Sequence, residues 1–174
     1  MKLKTGVLLI ATALLAGCSS EAAVQAVPEP IALTEEAAGH YCQMVILEHE
    51  GPKAQMHLAG IQHPLWFSQV RDGLAYFKSP EQSADIAVMY VNDMGKAKSW
   101  SEPGEMNWIR ADEAYFVVGS NKKGGMGAPE LAPFSTEDKA LEFAQSFGGE
   151  VQRLDEISMQ AVLAPVDVEL EDES

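Results

Sequence analysis

Metal-binding side chains are densest in residues 41–58, YCQMVILEHEGPKAQMHL, which hold one cysteine, two methionines and two histidines, with His40 just before them. Cys42 and Met44 are separated by one residue. On an extended segment, side chains at i and i+2 project to the same side, about 7 Å apart at the backbone. From that spacing both sulfurs can reach one ion. A thiolate with a thioether is a soft donor pair, and soft sulfur ligands select Cu(I) among biological metals. Zinc asks for a fuller set and an iron–sulfur cluster for four cysteines, whereas the chain holds two cysteines in all. C-x-M is a short pattern, and its spacing also suits a core Met44 beside an inert buried thiol.

A second exposed thioether is expected at Met126, in the run Gly124-Gly125-Met126-Gly127. Glycine offers a methionine nothing to pack against, so this loop reads as a presented sulfur or as a plain turn. It is no phosphate loop, since neither GKS/GKT nor G-x-G-x-x-G follows a strand. Met56 and His57 are adjacent, so on a strand they face opposite ways and cannot easily share a site. Lone histidines are more often structural than ligating, which covers His49, His57 and His63. His40 would share a face with Cys42 on an extended segment. No G-x-S-x-G or H-E-x-x-H is present. A thiol–imidazole pair of Cys42 with His49 or His57 would lack a third, orienting group. Trp66, Trp100 and Trp108 have no basic patch beside them, which argues against nucleic-acid stacking.

The ends of the chain place these residues in a compartment. Lys2 and Lys4 precede a largely apolar run over residues 6–16, then Gly17 and Cys18. Leu15-Ala16-Gly17-Cys18 is similar to the lipobox of bacterial lipoproteins, with a charged start and a short apolar stretch before it. That resemblance implies cleavage before Cys18, lipidation of Cys18, and anchoring by acyl chains rather than a spanning helix. Residues 1–17 are therefore read as a signal peptide and 18–35 as a flexible lipidated tether. Residues 161–174 form an acidic tail, with five acids in its last nine positions. Loss of Lys2 and Lys4 with the signal takes the formal charge from −14 to −16. Such a surface repels nucleic acid and anionic lipid and suits a cationic partner. With Cys18 lipidated, Cys42 has no internal partner in an oxidising compartment.

Two halves of the body between these ends show the same order of elements. In the first, residues 54–59 and 63–67 read as short strands. Ser68 is placed to cap a helix to about Phe77, with Val70, Leu74 and Phe77 on one face, and Ser79-Pro80 stops it. Residues 85–91, DIAVMYV, read as a strand. In the second, residues 114–118 read as a strand. Ser135 is placed to cap a helix over residues 136–147, with Leu141, Ala144 and Phe147 inward, and Gly148-Gly149 ends it. Residues 150–157 read as the last strand. Phe67-Ser68 and Phe134-Ser135 lie 67 residues apart, and Leu74/Leu141 and Tyr76/Phe143 keep that offset. The spacing predicts an α+β fold of two tandem ββαβ units, over residues 36–95 and 96–160, joined through residues 92–112.

The segments YCQMVILEHEGPKAQMHL, PLWFSQVRDGLAYF, AYFVVGS and GGMGAPELAPFSTEDKALEFAQSFGGEV, together with the lipobox, resemble the NosL family. The resemblance covers most of residues 40–157. It implies a periplasm-facing, non-enzymatic copper chaperone, anchored in the outer membrane, that carries one Cu(I). Its implied partners are nitrous oxide reductase and an ABC-type maturation complex. The family's C-x-M falls on Cys42 and Met44, its glycine-flanked methionine on Met126 and its lipidated cysteine on Cys18. Met126 is the first choice for the third ligand, with His40 or His57 second. The implied fold also resembles a domain of organomercurial lyase, which keeps a thiol enzyme as an alternative. A structural envelope lipoprotein that presents an acidic surface is the other.

Overall fold

The structure, a computed structural model, describes residues 26–165; the lipobox with Cys18 and the end of the acidic tail lie outside them. Strands β1 (Ala54–Leu58) and β2 (Leu65–Phe67), helix α1 (Val70–Lys78) and strand β3 (Ile86–Asn92) make one ββαβ unit. Strand β4 (Trp108–Arg110) follows. Strands β5 (Tyr115–Val118) and β6 (Ala132–Phe134), helix α2 (Glu137–Phe147) and strand β7 (Glu150–Gln152) make the second unit, and a short helix α3 (Met159–Val162) closes the described chain. The sheets run β2-β1-β3-β4 and β6-β5-β7, antiparallel throughout. Each unit puts its first strand in the middle, so the expected α+β fold of two tandem ββαβ units is present.

Strand alternation decides which residues enter the core. Ala54, Met56 and Leu58 of β1 pack with Phe67, Val70, Leu74, Met89 and Val91, under α1. Phe116 of β5 joins that same core, while its neighbour Val117 faces the other way, toward Ala132, Phe134 and Ala140 under α2. One strand thus serves both cores and welds the units together. The opposite face of β1 carries Gln55 and His57. Both are buried, because residues 28–33 lie across it. Gln55 accepts from the Ile31 N–H and donates to the Ile31 carbonyl, both at 3.0 Å, and the Tyr90 hydroxyl donates to the Pro28 carbonyl at 2.8 Å. This stretch was assigned to the flexible tether from composition. Pro28 and Pro30 restrict it to extended conformations, which lowers the entropy lost when it docks.

Other details differ from the sequence reading. The connection over residues 92–112 contains β4, which pairs with β3, so the first sheet has four strands. The last strand ends at Gln152 because Arg153 turns the chain: Glu156 N–H donates to the Arg153 carbonyl at 3.0 Å. Leu141 is 45 % exposed, and the inner face of α2 is instead Ala140, Phe143 and Ala144. That i, i+3, i+4 set is a tighter helical stripe than the one through Leu141. Neither serine caps its helix. The N-cap positions are Gln69 and Thr136, without side-chain capping bonds of their own. At α1 the carboxylate of Glu130 does that work. It accepts from the N–H groups of Val70 (3.3 Å), Arg71 (3.0 Å) and Leu131 (2.9 Å). At α2, Asp93 accepts from the Ser135 N–H at 3.1 Å.

Candidate metal centre

Cys42 and Met44 do not lie on an extended strand. The Gly39 N–H donates to the Met44 carbonyl at 2.9 Å and the Gln43 N–H to the Gly39 carbonyl at 2.8 Å, closing a tight loop. Gln43 takes the left-handed conformation, φ 57°. That costs a non-glycine residue about 1–2 kcal/mol. Its own amide offsets the strain by donating to the carbonyls of Gly39 (3.2 Å) and His40 (2.8 Å). The thiol folds back across Gly39, where a Cβ would come within 2.5 Å of Cys42 Sγ. There the half-buried Sγ meets the Ser68 hydroxyl at 3.7 Å. Same-side projection of i and i+2 is therefore not what relates Cys42 and Met44; both belong to one closed loop. Met44 stays 40 % exposed.

His40 flanks this loop. Its N–H donates to the Trp66 carbonyl at 2.7 Å. Its ring lies among Tyr41, Phe67 and Tyr76, with centroids 5.0, 5.7 and 5.4 Å away. Burial, then the negative charge of Asp72, raises the Tyr41 phenol above its ordinary value. His57 is elsewhere, under residues 28–33. Because Gln55 Nε2 donates to Ile31, its Oε1 is the acceptor, and His57 Nε2 donates to it at 3.0 Å. Burial lowers the His57 pKa, consistent with a neutral, structural imidazole.

Met126 comes from the long β5–β6 connection. The Gly127 N–H donates to the Gly124 carbonyl (2.9 Å) and the Gly124 N–H to the Ala128 carbonyl (2.8 Å), which makes a compact turn with Met126 42 % exposed. The turn leans on the first unit. The Met126 N–H donates to Gln69 Oε1 at 3.2 Å, and His49 Nδ1 bonds the Gly125 carbonyl at 3.2 Å. A Cβ on Gly124 would meet Gln69 Oε1 and Glu130 Oε2 at 2.6 Å, and one on Gly125 would meet His49 Cβ within contact. Glycine is required at both positions for this approach. Ser68 touches the thiol and Gln69 holds the methionine turn, so two loops 84 residues apart in sequence contact adjacent residues just before α1.

The surroundings are polar but buried. Gln69 is 3 % exposed and donates to Asp72 at 3.1 Å. Behind it, burial pushes Glu130 up to about 8, against the opposing pull of its backbone N–H bonds. Among the described residues no three His, Cys, Asp or Glu side chains converge. Sequence reading missed Gln69 and Glu130 as parts of this region; Ser68 carried a signal only for helix capping, and His49 only as half of a thiol–imidazole pair with Cys42.

The NosL family profile matches residues 30–162. The chain belongs to the NosL family. Two relatives are each named copper-binding lipoprotein NosL. The one from Achromobacter cycloclastes is 53 % identical over 158 residues, covering 90 % of this chain and 81 % of its own length. That from Stutzerimonas stutzeri is 37 % identical over 150 residues, covering 86 % and 76 %. Among solved structures, the crystal structure of the copper chaperone NosL from Shewanella denitrificans aligns with TM-score 0.71 at 31 % identity, over 75 % of this chain and 96 % of that one. The solution NMR structure of apo-NosL from Achromobacter cycloclastes aligns with TM-score 0.50 at 54 % identity, over 66 % and 91 %. In this NosL chain the two sulfur-bearing loops, one from each unit, contact the adjacent residues Ser68 and Gln69.

Proposed function

We propose that the protein is a copper carrier that binds one Cu(I) through the Cys42 thiolate and the thioethers of Met44 and Met126. The observation that carries this reading is that the lone thiol and the glycine-flanked methionine turn contact two adjacent residues, Ser68 and Gln69. Soft sulfur donors favour Cu(I). Met44 and Met126 remain 40 % and 42 % exposed, as suits an ion that must leave by ligand exchange with a recipient. The side chain that touches Cys42 is a hydroxyl and not an imidazole, which supports a carrier over a thiol nucleophile activated by a base. The cargo is moved and not used. Cys18 anchors the protein by lipid, facing the periplasm from the outer membrane. The acidic body then offers copper to the ABC-type complex and nitrous oxide reductase named by the resemblance.

Anaerobic Cu(I) titration against a competing chelator, followed by X-ray absorption, tests the reading. One equivalent bound with sulfur-dominated scattering is expected. Cys42→Ser is expected to weaken binding by more than the roughly 10–100-fold typical of a supporting residue. Unchanged affinity in Cys42→Ser sinks the proposal.

A further inference from the structure

The Gly125 carbonyl and the Met126 N–H belong to one peptide unit, and that unit is gripped at both ends. His49 Nδ1 holds the carbonyl and Gln69 Oε1 holds the amide, each at 3.2 Å. Because a carbonyl only accepts, His49 carries its proton on Nδ1. Its Nε2 is a buried atom without a hydrogen-bond partner among the described residues. Gln69 Oε1 faces the Met126 N–H because Gln69 Nε2 is donating to Asp72 at 3.1 Å. The amide orientation is thus fixed by a chain of bonds from α1.

Such a grip matters because of what surrounds Met126. Gly124, Gly125 and Gly127 leave the backbone free to rotate, and an exposed thioether has no core to orient it. Elsewhere in the chain packing sets the rotamer of a methionine, as for Met56 at 0 % exposure. Here, fixing the plane of the 125–126 peptide is what fixes the direction in which Met126 leaves the backbone. The two gripping residues come from opposite sides. His49 follows the single 3₁₀ turn Ile46–Glu48, next to the Cys42 loop, and Gln69 caps α1 directly after Ser68, which touches Cys42 Sγ.

We propose that His49 and Gln69 are positioning residues that clamp the Gly125–Met126 peptide and so hold the Met126 thioether at the distance from Cys42 that copper requires. The clamp replaces side-chain packing in a turn built of glycine, and it ties the geometry of the second unit's donor to that of the first unit's thiol. This inference rests on Met126 being a copper ligand.

The test uses the mature chain from Cys18 in detergent. In the copper-free protein, amide exchange of Met126 and the order parameter of its methyl group report the clamp directly. Gln69→Leu is expected to speed exchange and loosen the methyl. The copper arm measures Cu(I) affinity and the sulfur count. Gln69→Leu is expected to weaken binding roughly 10–100-fold, the range for residues that orient ligands, and to remove one sulfur from the scattering. Added to Met126→Leu it is expected to cost nothing more. Should Gln69→Leu fail to fold, the pair His49→Ala and His49→Asn carries the test, since the asparagine amide keeps a donor near the Nδ1 position. Asparagine is expected to retain affinity and alanine to lose it. Equal losses in both overturn the clamp, because they make the ring itself a ligand. Additive losses, or unaltered exchange and methyl order in Gln69→Leu, overturn it too. If Met126→Leu binds copper normally, the ligand assignment fails, while the copper-free readouts still judge the clamp.

Discussion

The two ββαβ units share a topology and differ in their loops. In the first, Ala54 pairs with Phe67; in the second, Tyr115 pairs with Phe134. Phe67 and Phe134 are 67 residues apart, but Ala54 and Tyr115 only 61, so the second unit's opening hairpin is six residues longer. The longer β5–β6 connection contains the Gly124–Gly127 turn with Met126. The frame repeats, and the candidate donor sits on the part that does not. The first unit contributes the complementary half, since Ser68 and Gln69, just before α1, contact one sulfur-bearing loop each. Duplication supplies a rigid scaffold, and the departure from it supplies chemistry, because a loop can lengthen without disturbing a packed core.

The helices differ in the same sense. Leu74 of α1 is 0 % exposed, while Leu141, its equivalent at the same offset, is 45 % exposed. Two carboxylates serve the helix starts in opposite states. Burial pushes Glu130 at α1 up to about 8. For Asp93 at α2, burial is outweighed by hydrogen bonds from Ser135, Lys96 and Gly95, which hold it below the usual carboxylate range.

The largest difference between the units is expected at Leu74. Leu74→Ala should destabilise the fold by about 2–5 kcal/mol, as large-to-small changes in packed cores do. Chemical denaturation measures this, and a loss no larger than that of Leu141→Ala would erase the contrast between the helices.

The carboxylates predict pH dependences of opposite sign. The folded state holds the Glu130 proton up to about 8, above its unfolded value of 4.5. Between those limits the folded chain binds more protons, so this group's contribution to stability falls as pH rises. Asp93, held low, contributes stability at neutral pH that is lost as pH falls through the acid range. Glu130→Gln should therefore flatten the decline toward pH 8, by on the order of a few kcal/mol. Asp93→Asn should blunt the acid loss and leave the alkaline side alone. Denaturation curves taken from pH 4 to about 9 separate the two, and a Glu130→Gln profile parallel to the parent's would remove Glu130 as the source.

Met126→Leu sharpens the contrast between loop and frame. Copper affinity should fall at least as far as in Gln69→Leu, by roughly 10–100-fold or about 1.4–2.7 kcal/mol, while the melting temperature stays put, because the side chain is exposed and packs into no core. A stability loss at constant affinity would return this turn to a structural role. The smallest effect is expected for Leu141→Ala, within about 0.5 kcal/mol of the parent.

Much of the frame was legible in the sequence. The alternation of Met56 and His57 sends one into the core and the other to the far face, and both helix stops hold: Ser79 follows α1, and the Gly148 N–H donates to the Ala144 carbonyl at 2.8 Å. The helix starts were misplaced by one residue because a serine before an apolar run looks like a cap, while the carboxylates that serve those starts come from Glu130 and Asp93, far away in the chain. Strand β4 was missed because three residues, Trp108–Arg110, are too few to show a period and gain their pairing from β3.

Local chemistry determined the candidate donors: a lone thiol, a thioether two residues on, and a methionine that glycine leaves nothing to pack against. Those are properties of residue type and neighbour, and they need no fold. Only the tertiary structure decided that the thiol turns back over Gly39 to Ser68, and that Gln69 and His49 grip the peptide before Met126. Such contacts span 26, 57 and 76 residues. No periodicity extends that far: folding within the first unit sets the first contact, and docking of one unit on the other sets the other two.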